Sequence, residues 1–378
     1  MKYLIIIGDG MADYPLKELD GATPLEVADK PSMDLIADRG RCGLLRTLDE
    51  RFPLGSDVAN LTILGYDPSQ YHPMGRGPLE AGGMGIPLGG EDIAFRCNLI
   101  TERDGRIIDY SAGHISNQES QELIEAIGRE FSSEHVRFYH GVGYRHIMVL
   151  KPGDIYSDKI KAKPPHDIMG QKVDDNMIKA VSGEGEKTAS ELNNMMIRSR
   201  DILREHPINR ERIEKGLNPA NMMWFWGHGR KPHMESFEDK YGVKGGMISA
   251  VDLLKGIACY IGLDVLEVPG ATGYLDTNYE GKADAALRYL KDADFIYIHV
   301  ESPDEAGHEG SIEKKIKAIE DLDKRLISRI LKGMEGERYK IAVLPDHATP
   351  VEVRTHTPDP VPFAIYSSGG KADSVKRF

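Results

Sequence analysis

Acidic and histidine side chains follow three predicted strands directly. The strands are short apolar runs at 3–7, 295–300 and 341–344, and the groups that follow them are Asp9, Asp304, His308, Asp346, His347 and His356. In a doubly wound sheet, functional groups collect beyond the carboxyl ends of the strands. We therefore expect three carboxylates and three imidazoles to meet at one edge of a single sheet.

Bound cations would explain why so many acids converge. Carboxylates that lie close together repel one another and keep their protons, and cations remove this conflict. Mixed oxygen and nitrogen ligands suit Mn²⁺ or Zn²⁺ better than Mg²⁺ or Ca²⁺. Six ligands and a serine exceed what one tetrahedral ion needs, so the pattern favours two divalent metal ions. The six groups support this interpretation only when they are taken together, because Asp304 and His308 alone would more often be an ordinary surface pair on a helix.

Ser56 is the candidate nucleophile. It follows Gly55, which allows a close approach, and it precedes an apolar segment that is expected to be helical. Free backbone N–H groups at a helix N-terminus favour an anion there, and a metal can activate a serine hydroxyl. A serine in this position is most often only a helix cap. The neighbouring metal ligands favour the catalytic interpretation.

The elements that must position these groups alternate between strand and helix. Strand candidates lie at 3–7, 222–226, 243–248, 265–268, 295–300 and 341–344. Helices are predicted at 250–261 and after Ser311, which would cap a long apolar-striped helix that includes Ile330. This alternation predicts an α/β fold with a doubly wound sheet. Residues 66–221 differ, with a Gly- and Pro-rich stretch followed by charged helices, and are predicted to form an inserted domain. Residues 1–65 and 222–378 would form a discontinuous core.

Composition excludes several classes of protein. The chain has 378 residues, 40% of them hydrophobic, and a formal net charge of −12, which argues against a nucleic-acid surface. No apolar run is long enough to span a membrane. Three widely spaced cysteines (Cys42, Cys97 and Cys259) fit a reducing cytoplasm better than a disulfide framework. The oligomeric state stays open. The other histidines, including His72, His135, His206 and His299, are interpreted as structural or solvated.

Several motifs together resemble one family, the cofactor-independent phosphoglycerate mutases of the archaeal-type branch, within the alkaline phosphatase superfamily. The motifs lie at 8–13, 55–60, 65–68, 75–78, 95–98, 269–273, 304–308 and 356–362. The resemblance implies an alkaline-phosphatase-like core with an inserted α/β substrate domain. It implies one metal ion, most simply Mn²⁺, held by Asp9, Ser56, Asp346 and His347, and a second held by Asp304, His308 and His356.

The resemblance also implies a reaction. Ser56 would accept the phosphoryl group of phosphoglycerate and return it to the other hydroxyl of the bound glycerate. Basic residues of both domains would hold the phosphate and the carboxylate, since arginine binds such groups in a bidentate manner. The candidates are Arg76, Arg96, Arg145, Arg230 and Lys244.

Three alternatives remain open at this point. A bacterial subgroup with similar motifs has been proposed to act as homoserine kinase, with ATP as the phosphoryl donor. A metal-dependent phosphatase or phosphodiesterase would use the same metal ligands. A metal-binding module without catalysis is a further possibility, against which the serine beside the ligands argues.

Overall fold

Strands and helices alternate along both ends of the chain in the computed structural model, which describes residues 1–49, 51–73, 75–153 and 155–378. Two units emerge from the packing. Unit 1 consists of Met1–His72 and His233–Phe378, and unit 2 consists of Pro73–Pro232. None of the helices in the described part of the chain has the length and apolar character that crossing a membrane requires.

The strands and helices have the following bounds. The strands are β1 (Lys2–Gly8), β2 (Arg41–Leu45), β3 (Ile93–Arg103), β4 (Arg106–Asp109), β5 (Val136–Val142), β6 (Arg145–Leu150), β7 (Ile160–Lys161), β8 (Lys179–Ala180), β9 (Met222–Arg230), β10 (Gly245–Ile248), β11 (Asp264–Val265), β12 (Phe295–Val300), β13 (Tyr339–Leu344) and β14 (Val361–Ser367). The helices are α1 (Pro24–Val27), α2 (Pro31–Asp38), α3 (Ser56–Ile63), α4 (Pro68–Tyr71), α5 (Gly77–Gly83), α6 (Asn117–Phe131), α7 (Glu186–Arg204), α8 (Pro207–Glu214), α9 (Phe237–Tyr241), α10 (Asp252–Tyr260), α11 (Tyr279–Tyr289), α12 (Ser302–Glu309), α13 (Ile312–Asp321) and α14 (Ser328–Gly333). A π-helical turn at Leu322–Ile327 joins α13 to α14.

The sheet of unit 1 has the strand order β11-β10-β12-β1-β13-β14-β2. Its central strand β1 is parallel to both neighbours, and Ile6 lies opposite Ile298 of β12 and Val343 of β13. All three of these side chains are fully buried. A continuous apolar run suits this position, because a central parallel strand is covered on both faces. The carboxyl ends of β12, β1 and β13 consequently lie side by side.

The predicted α/β fold with a doubly wound sheet is confirmed, and Ser311 caps α13 by accepting a hydrogen bond from the Lys314 N–H. The last two strands on one side of this sheet, β14 and β2, were not predicted. They pair antiparallel, β14 with β13 and β2 with β14. β14 does not fit the pattern of a strand buried on both faces, because the strand is only partly buried and its Ile365 is 43% exposed.

The sheet of unit 2 is antiparallel. β3 is its longest strand and pairs with β4, β6 and β9. The run 222–226 was expected in the core domain, but it belongs to β9, whose Met223 lies opposite Leu99 of β3. An apolar run predicts a buried strand without saying which sheet it joins. The units accordingly divide after His72 and after Pro232, further along the chain than the expected domain borders.

Candidate metal centre

Two of the predicted acids lie at the ends of adjacent parallel strands. Asp9 follows β1 and Asp346 follows β13, and both are buried. Gly10 has a φ of +59°, and a Cβ at this position would lie 2.5 Å from Oδ1 of Asp304. Its backbone N–H donates to Oδ1 of Asp346 at 3.2 Å. Glycine is therefore required where the ends of β1, β13 and α12 meet.

Asp304, His308 and His356 form one cluster. The first two lie one turn apart on α12, so both project from the same face. Nε2 of His308 lies 3.1 Å from Oδ2 of Asp304, and Nε2 of His356 lies 3.6 Å from Oδ1. The two Nε2 atoms are 3.1 Å apart. Three potential ligand atoms thus surround one small space.

The tautomers of these two histidines follow from their outer contacts. Nδ1 of His308 lies 3.0 Å from the carbonyl oxygen of Arg354, and Nδ1 of His356 lies 3.0 Å from that of Leu54. A carbonyl can only accept, so each Nδ1 carries a hydrogen and donates it. In the neutral rings both Nε2 lone pairs therefore point into the same space, an arrangement that fits a metal ion. The hydrogen bond to Asp304 meanwhile raises the pKa of His308 to about 9.

A second group surrounds Ser56. Nε2 of His347 lies 3.2 Å from Oγ of Ser56 and 3.3 Å from Oδ1 of Asp9. Ser56 is the first residue of α3, and Gly55 is its N-cap. The ring of His347 stacks on that of His356 with 3.9 Å between centroids. The two groups are therefore contiguous, and the predicted nucleophile lies beside them.

Electrostatics supports cation binding at this edge. Burial raises the pKa of Asp9 well above its usual value, and the negative charges of Asp346, Asp304 and Glu301 raise it further. Burial acts in the same direction on Asp304, but hydrogen bonds from His308 and His356 outweigh it and lower the pKa. Within the described residues, three sets of ligand atoms lie within 4.8 Å of one another: Asp304, His308 and His356; Asp9, Asp304 and His347; and Asp9, His299 and Asp346.

Sequence reasoning gave no role to Asn60, which binds both Ser56 and Asp346. Its Nδ2 donates to the carbonyl oxygen of Ser56 and to Oδ2 of Asp346, each at 2.8 Å. Its Oδ1 accepts a hydrogen bond from the hydroxyl of Tyr297. The helical spacing of four residues from Ser56 was a usable signal, since it places Asn60 one turn further along the same face.

Two further residues near the acids were also missed. The hydroxyl of Thr349 donates to Oδ1 of Asp304. His299, interpreted as structural from the sequence, is buried with its Nε2 3.2 Å from Oδ2 of Asp9. Neither residue carries a local motif that distinguishes it from an ordinary core or loop residue.

Three of the five candidate basic residues share a neighbourhood in unit 2. Arg96 lies almost buried on β3, with Nε 3.1 Å from Oε2 of Glu80 and its guanidinium carbon 4.3 Å from the ring centroid of Trp226. Burial lowers the pKa of Arg96, and the positive charges of Arg76 and Arg145 act in the same direction. Positive groups brought together in this way form a site for an anion.

The other two candidates have acidic neighbours of their own. Arg230, at the end of β9, forms ion pairs with Glu91 and Asp158, the latter at 2.9 Å. Lys244 belongs to unit 1, is largely exposed and lies 3.8 Å from Asp264. The structure therefore groups Arg76, Arg96 and Arg145, whereas Arg230 and Lys244 each lie beside acids of their own unit.

Comparison with known proteins gives a uniform result. The profile of a family described as 2,3-bisphosphoglycerate-independent phosphoglycerate mutase matches residues 37–209. Proteins of that name from Methanosarcina acetivorans and Methanothermobacter thermautotrophicus are 53% and 50% identical to this chain. Each alignment covers 100% of this chain, with 94% and 92% of the respective relative.

Solved structures agree with these relatives. A cofactor-independent phosphoglycerate mutase from Thermoplasma acidophilum is 32% identical, with a TM-score of 0.68, and the match covers 100% of this chain and 93% of that one. A protein from Pyrococcus horikoshii is 33% identical, with a TM-score of 0.84, over 100% of this chain and 90% of that one. Sequence and fold thus point to the same family.

Proposed function

The chain belongs to the family of 2,3-bisphosphoglycerate-independent phosphoglycerate mutases, and from this premise we propose that it interconverts 2-phosphoglycerate and 3-phosphoglycerate through a phosphoserine at Ser56. One observation carries the assignment of the nucleophile. Oγ of Ser56, at the first residue of α3, lies 3.2 Å from Nε2 of His347, a member of the cluster of acids and imidazoles. The mutase names of the relatives give no support to a homoserine kinase or to a phosphatase.

Two divalent ions are part of this proposal. Asp304, His308 and His356 would hold one, and Asp9, Ser56, Asp346 and His347 would hold the other. The mixed oxygen and nitrogen donors favour Mn²⁺. When bound, such ions stabilise negative charge on the serine and phosphoryl oxygens.

The residues of the chain supply the positioning. In the first transfer, the bond from phosphorus to one glycerate oxygen breaks as a bond to Oγ of Ser56 forms, and the released glycerate oxygen gains the proton that the Ser56 hydroxyl loses. In the second, the bond from phosphorus to Oγ breaks as a bond to the neighbouring glycerate oxygen forms, and the proton of that hydroxyl returns to Oγ and restores Ser56. The N-terminus of α3 favours the negative charge that gathers at Ser56 in both transfers. Asn60 fixes this end of α3 relative to Asp346 through its two donated hydrogen bonds.

The glycerate must stay bound between the two transfers. We assign its carboxylate, or the phosphate of the incoming substrate, to Arg76, Arg96 and Arg145, because planar guanidinium groups bind such anions in a bidentate manner.

The cysteines bear on the location of the protein in the cell. Cys42, Cys97 and Cys259 are free thiols, which supports a reducing, cytoplasmic location.

The test of Ser56 is a Ser56→Ala variant, with Ser69→Ala on the exposed start of α4 as its control. Purified protein would be supplied with Mn²⁺ and 3-phosphoglycerate, quenched with acid and analysed by mass spectrometry. We expect phosphate on Ser56 in the wild type and in the control, no turnover by Ser56→Ala, and retained metal binding by all three. Phosphate on another residue, or a phosphoserine formed from ATP and never from phosphoglycerate, would contradict the proposal.

A further inference from the structure

One face of the unit 2 sheet carries a set of polar and aromatic side chains. Arg96 and Asn98 lie two residues apart on β3, so both point to this face. Trp226 of β9 lies opposite Arg96, and Arg145 of β6 lies opposite Asn98. Asn98 accepts a hydrogen bond from Nε1 of Trp226 at 3.0 Å and so fixes the indole ring beside Arg96. The proposed anion site is therefore built on three paired strands.

Aromatic contacts extend this site to a histidine without an assigned role. His166 lies in a short 3₁₀ helix, Pro165–Ile168, and its ring meets that of Trp226 edge to face with 5.2 Å between centroids. Its second ring neighbour is Tyr110, at 5.9 Å. The guanidinium carbon of Arg96 lies 4.3 Å from the centroid of the same indole ring. The side chain of His166 is 45% exposed, so its nitrogens are accessible to an ion from solvent.

The contacts continue from Tyr110 back to the arginines. The rings of Tyr110 and Tyr144 meet edge to face at 5.6 Å, and the guanidinium carbon of Arg145 lies 5.6 Å from the centroid of Tyr144. Burial raises the pKa of Tyr144, whereas the positive charges of Arg145 and Arg96 lower it. Both guanidinium groups therefore lie near this tyrosine. His166 belongs to the same continuous set of contacts as the arginines that are proposed to bind the substrate.

The charge of His166 depends on these neighbours. Partial burial lowers its pKa, and Asp167, whose Oδ1 lies 3.7 Å from Nε2 of the ring, acts in the opposite direction. The positive charges of Arg96 and Arg76 lower the pKa again, so the imidazole is mostly neutral at pH 7. The aromatic rings on its other sides carry no charge at this pH. An anion bound to the arginines cancels part of their field and thereby favours the charged imidazolium.

We propose that His166 binds the substrate anion beside Arg96, and that it takes up a proton from the solvent as the anion binds. The protonated ring donates a hydrogen bond to a phosphate or carboxylate oxygen, and such a bond is stronger than one from a neutral ring. When the anion leaves, repulsion from the arginines returns the proton to the solvent. The site thus carries its full positive charge only while it is occupied. This proposal rests on the substrate site assigned to the arginines and adds a residue to it.

Isothermal titration calorimetry with sulfate measures the proton uptake. Sulfate carries the charge of a phosphate dianion and does not itself titrate near neutral pH. Protein loaded with Mn²⁺ would be titrated at pH 7 in HEPES and in Tris, two buffers that absorb different heats when they give up a proton. We expect the wild type to take up a fraction of a proton per sulfate, and His166→Phe, which keeps an aromatic ring beside Trp226, to lose most of this uptake. His135→Phe, whose ring likewise meets a tyrosine, Tyr156, is the control and should keep it.

The affinity for sulfate gives a second readout. Uptake of one proton changes a dissociation constant by up to about tenfold per pH unit, so the wild type should bind sulfate more tightly at pH 6 than at pH 8. His166→Phe should lose most of this dependence, and His166→Asn replaces it if the phenylalanine variant does not fold.

Two results would overturn the proposal in different ways. Proton uptake that is equal in the wild type and in the His166 variants, with sulfate affinity still reduced by Arg96→Lys, would end the role of His166 and keep the arginine site. Absence of sulfate binding, or an affinity that Arg96→Lys leaves unchanged, would overturn the arginine site as well. Neither result bears on Ser56, because sulfate binding involves no phosphoryl transfer.

Discussion

Nε2 of His308 and Nε2 of His356 lie 3.1 Å apart, although each ring donates its Nδ1 hydrogen to a backbone carbonyl. The two carbonyls belong to Arg354 and Leu54, which lie far apart in the sequence. The protein thus aims both Nε2 atoms at one point, beside the carboxylate of Asp304. Holding these groups together is costly without a cation. The Nε2 atoms of two neutral rings repel one another, and so do the charged carboxylates of Asp9, Asp304 and Asp346.

Removal of bound metal should therefore destabilise unit 1. We expect a chelator to abolish activity and to lower the melting temperature, and excess Mn²⁺ to reverse both changes. An ion present at a thousand times its dissociation constant stabilises the folded state by about 4 kcal/mol. Differential scanning calorimetry with and without Mn²⁺ measures the effect. His308→Ala should lose most of the response, whereas His135→Ala in unit 2 should keep it. A melting temperature indifferent to metal in the wild type would rule out a structural contribution from these ions.

Replacement of Asn60 should weaken metal binding without removing a ligand. Asn60→Ala deletes the hydrogen bonds to Asp346 and to Ser56, and it leaves the buried hydroxyl of Tyr297 without its acceptor. Loss of a residue that orients a ligand typically lowers metal affinity by about 10–100-fold. Isothermal titration with Mn²⁺ gives the affinity. Thr62→Ala, which removes only a hydroxyl bonded to the carbonyl of Val58 on the same helix, is the control. Equal affinities in the two variants would contradict the role of Asn60.

Some of the centre could be predicted because the ends of adjacent parallel strands share one edge. Asp9 and Asp346 follow β1 and β13, so the pattern of apolar runs placed them together before any contact was known. His299 could not be placed in this way. It lies inside the buried strand β12, where it resembles any polar residue tolerated in a core, and its closeness to Asp9 depends on the register that places it opposite Ile7 of β1. The sheet to which Met222–Arg230 belongs was predicted wrongly for a similar reason, because an apolar run does not indicate which strand it will pair with.

Asp109 should make the stability of unit 2 depend on pH. Ser111, the N–H of Gly113 and Asn218 donate hydrogen bonds to its carboxylate. Burial raises the pKa of Asp109, but these bonds outweigh burial and lower it below the usual 3.8. A lowered acid pKa stabilises the fold above the unfolded value and ceases to do so as the pH falls through the folded value. Asp109→Asn should therefore lose stability at pH 7, by about 1–2 kcal/mol, and should match the wild type near pH 2.

Tryptophan fluorescence during urea unfolding isolates this effect, since both tryptophans, Trp224 and Trp226, lie in unit 2. Asp104→Asn, in the exposed turn between β3 and β4, serves as the control and should follow the wild type at every pH. A loss of stability by Asp109→Asn that is equally large at pH 2 and pH 7 would show that the carboxylate charge is not responsible.

Arg96→Lys should separate substrate binding from phosphoryl transfer. Lysine keeps the positive charge but loses the planar group that packs on Trp226 and contacts Glu80. The centre beside Ser56 is untouched by this change, so the cost should fall on binding. Loss of about 1.4 kcal/mol corresponds to a tenfold higher KM for phosphoglycerate, with kcat changed less. Arg230→Lys is the matched control, because Glu91 and Asp158 already neutralise that guanidinium, and its KM should stay near the wild-type value. Steady-state kinetics at saturating Mn²⁺ gives both constants. A raised KM in Arg230→Lys with an unchanged KM in Arg96→Lys would indicate that the substrate anion binds at Arg230. That result would contradict the assignment of Arg76, Arg96 and Arg145.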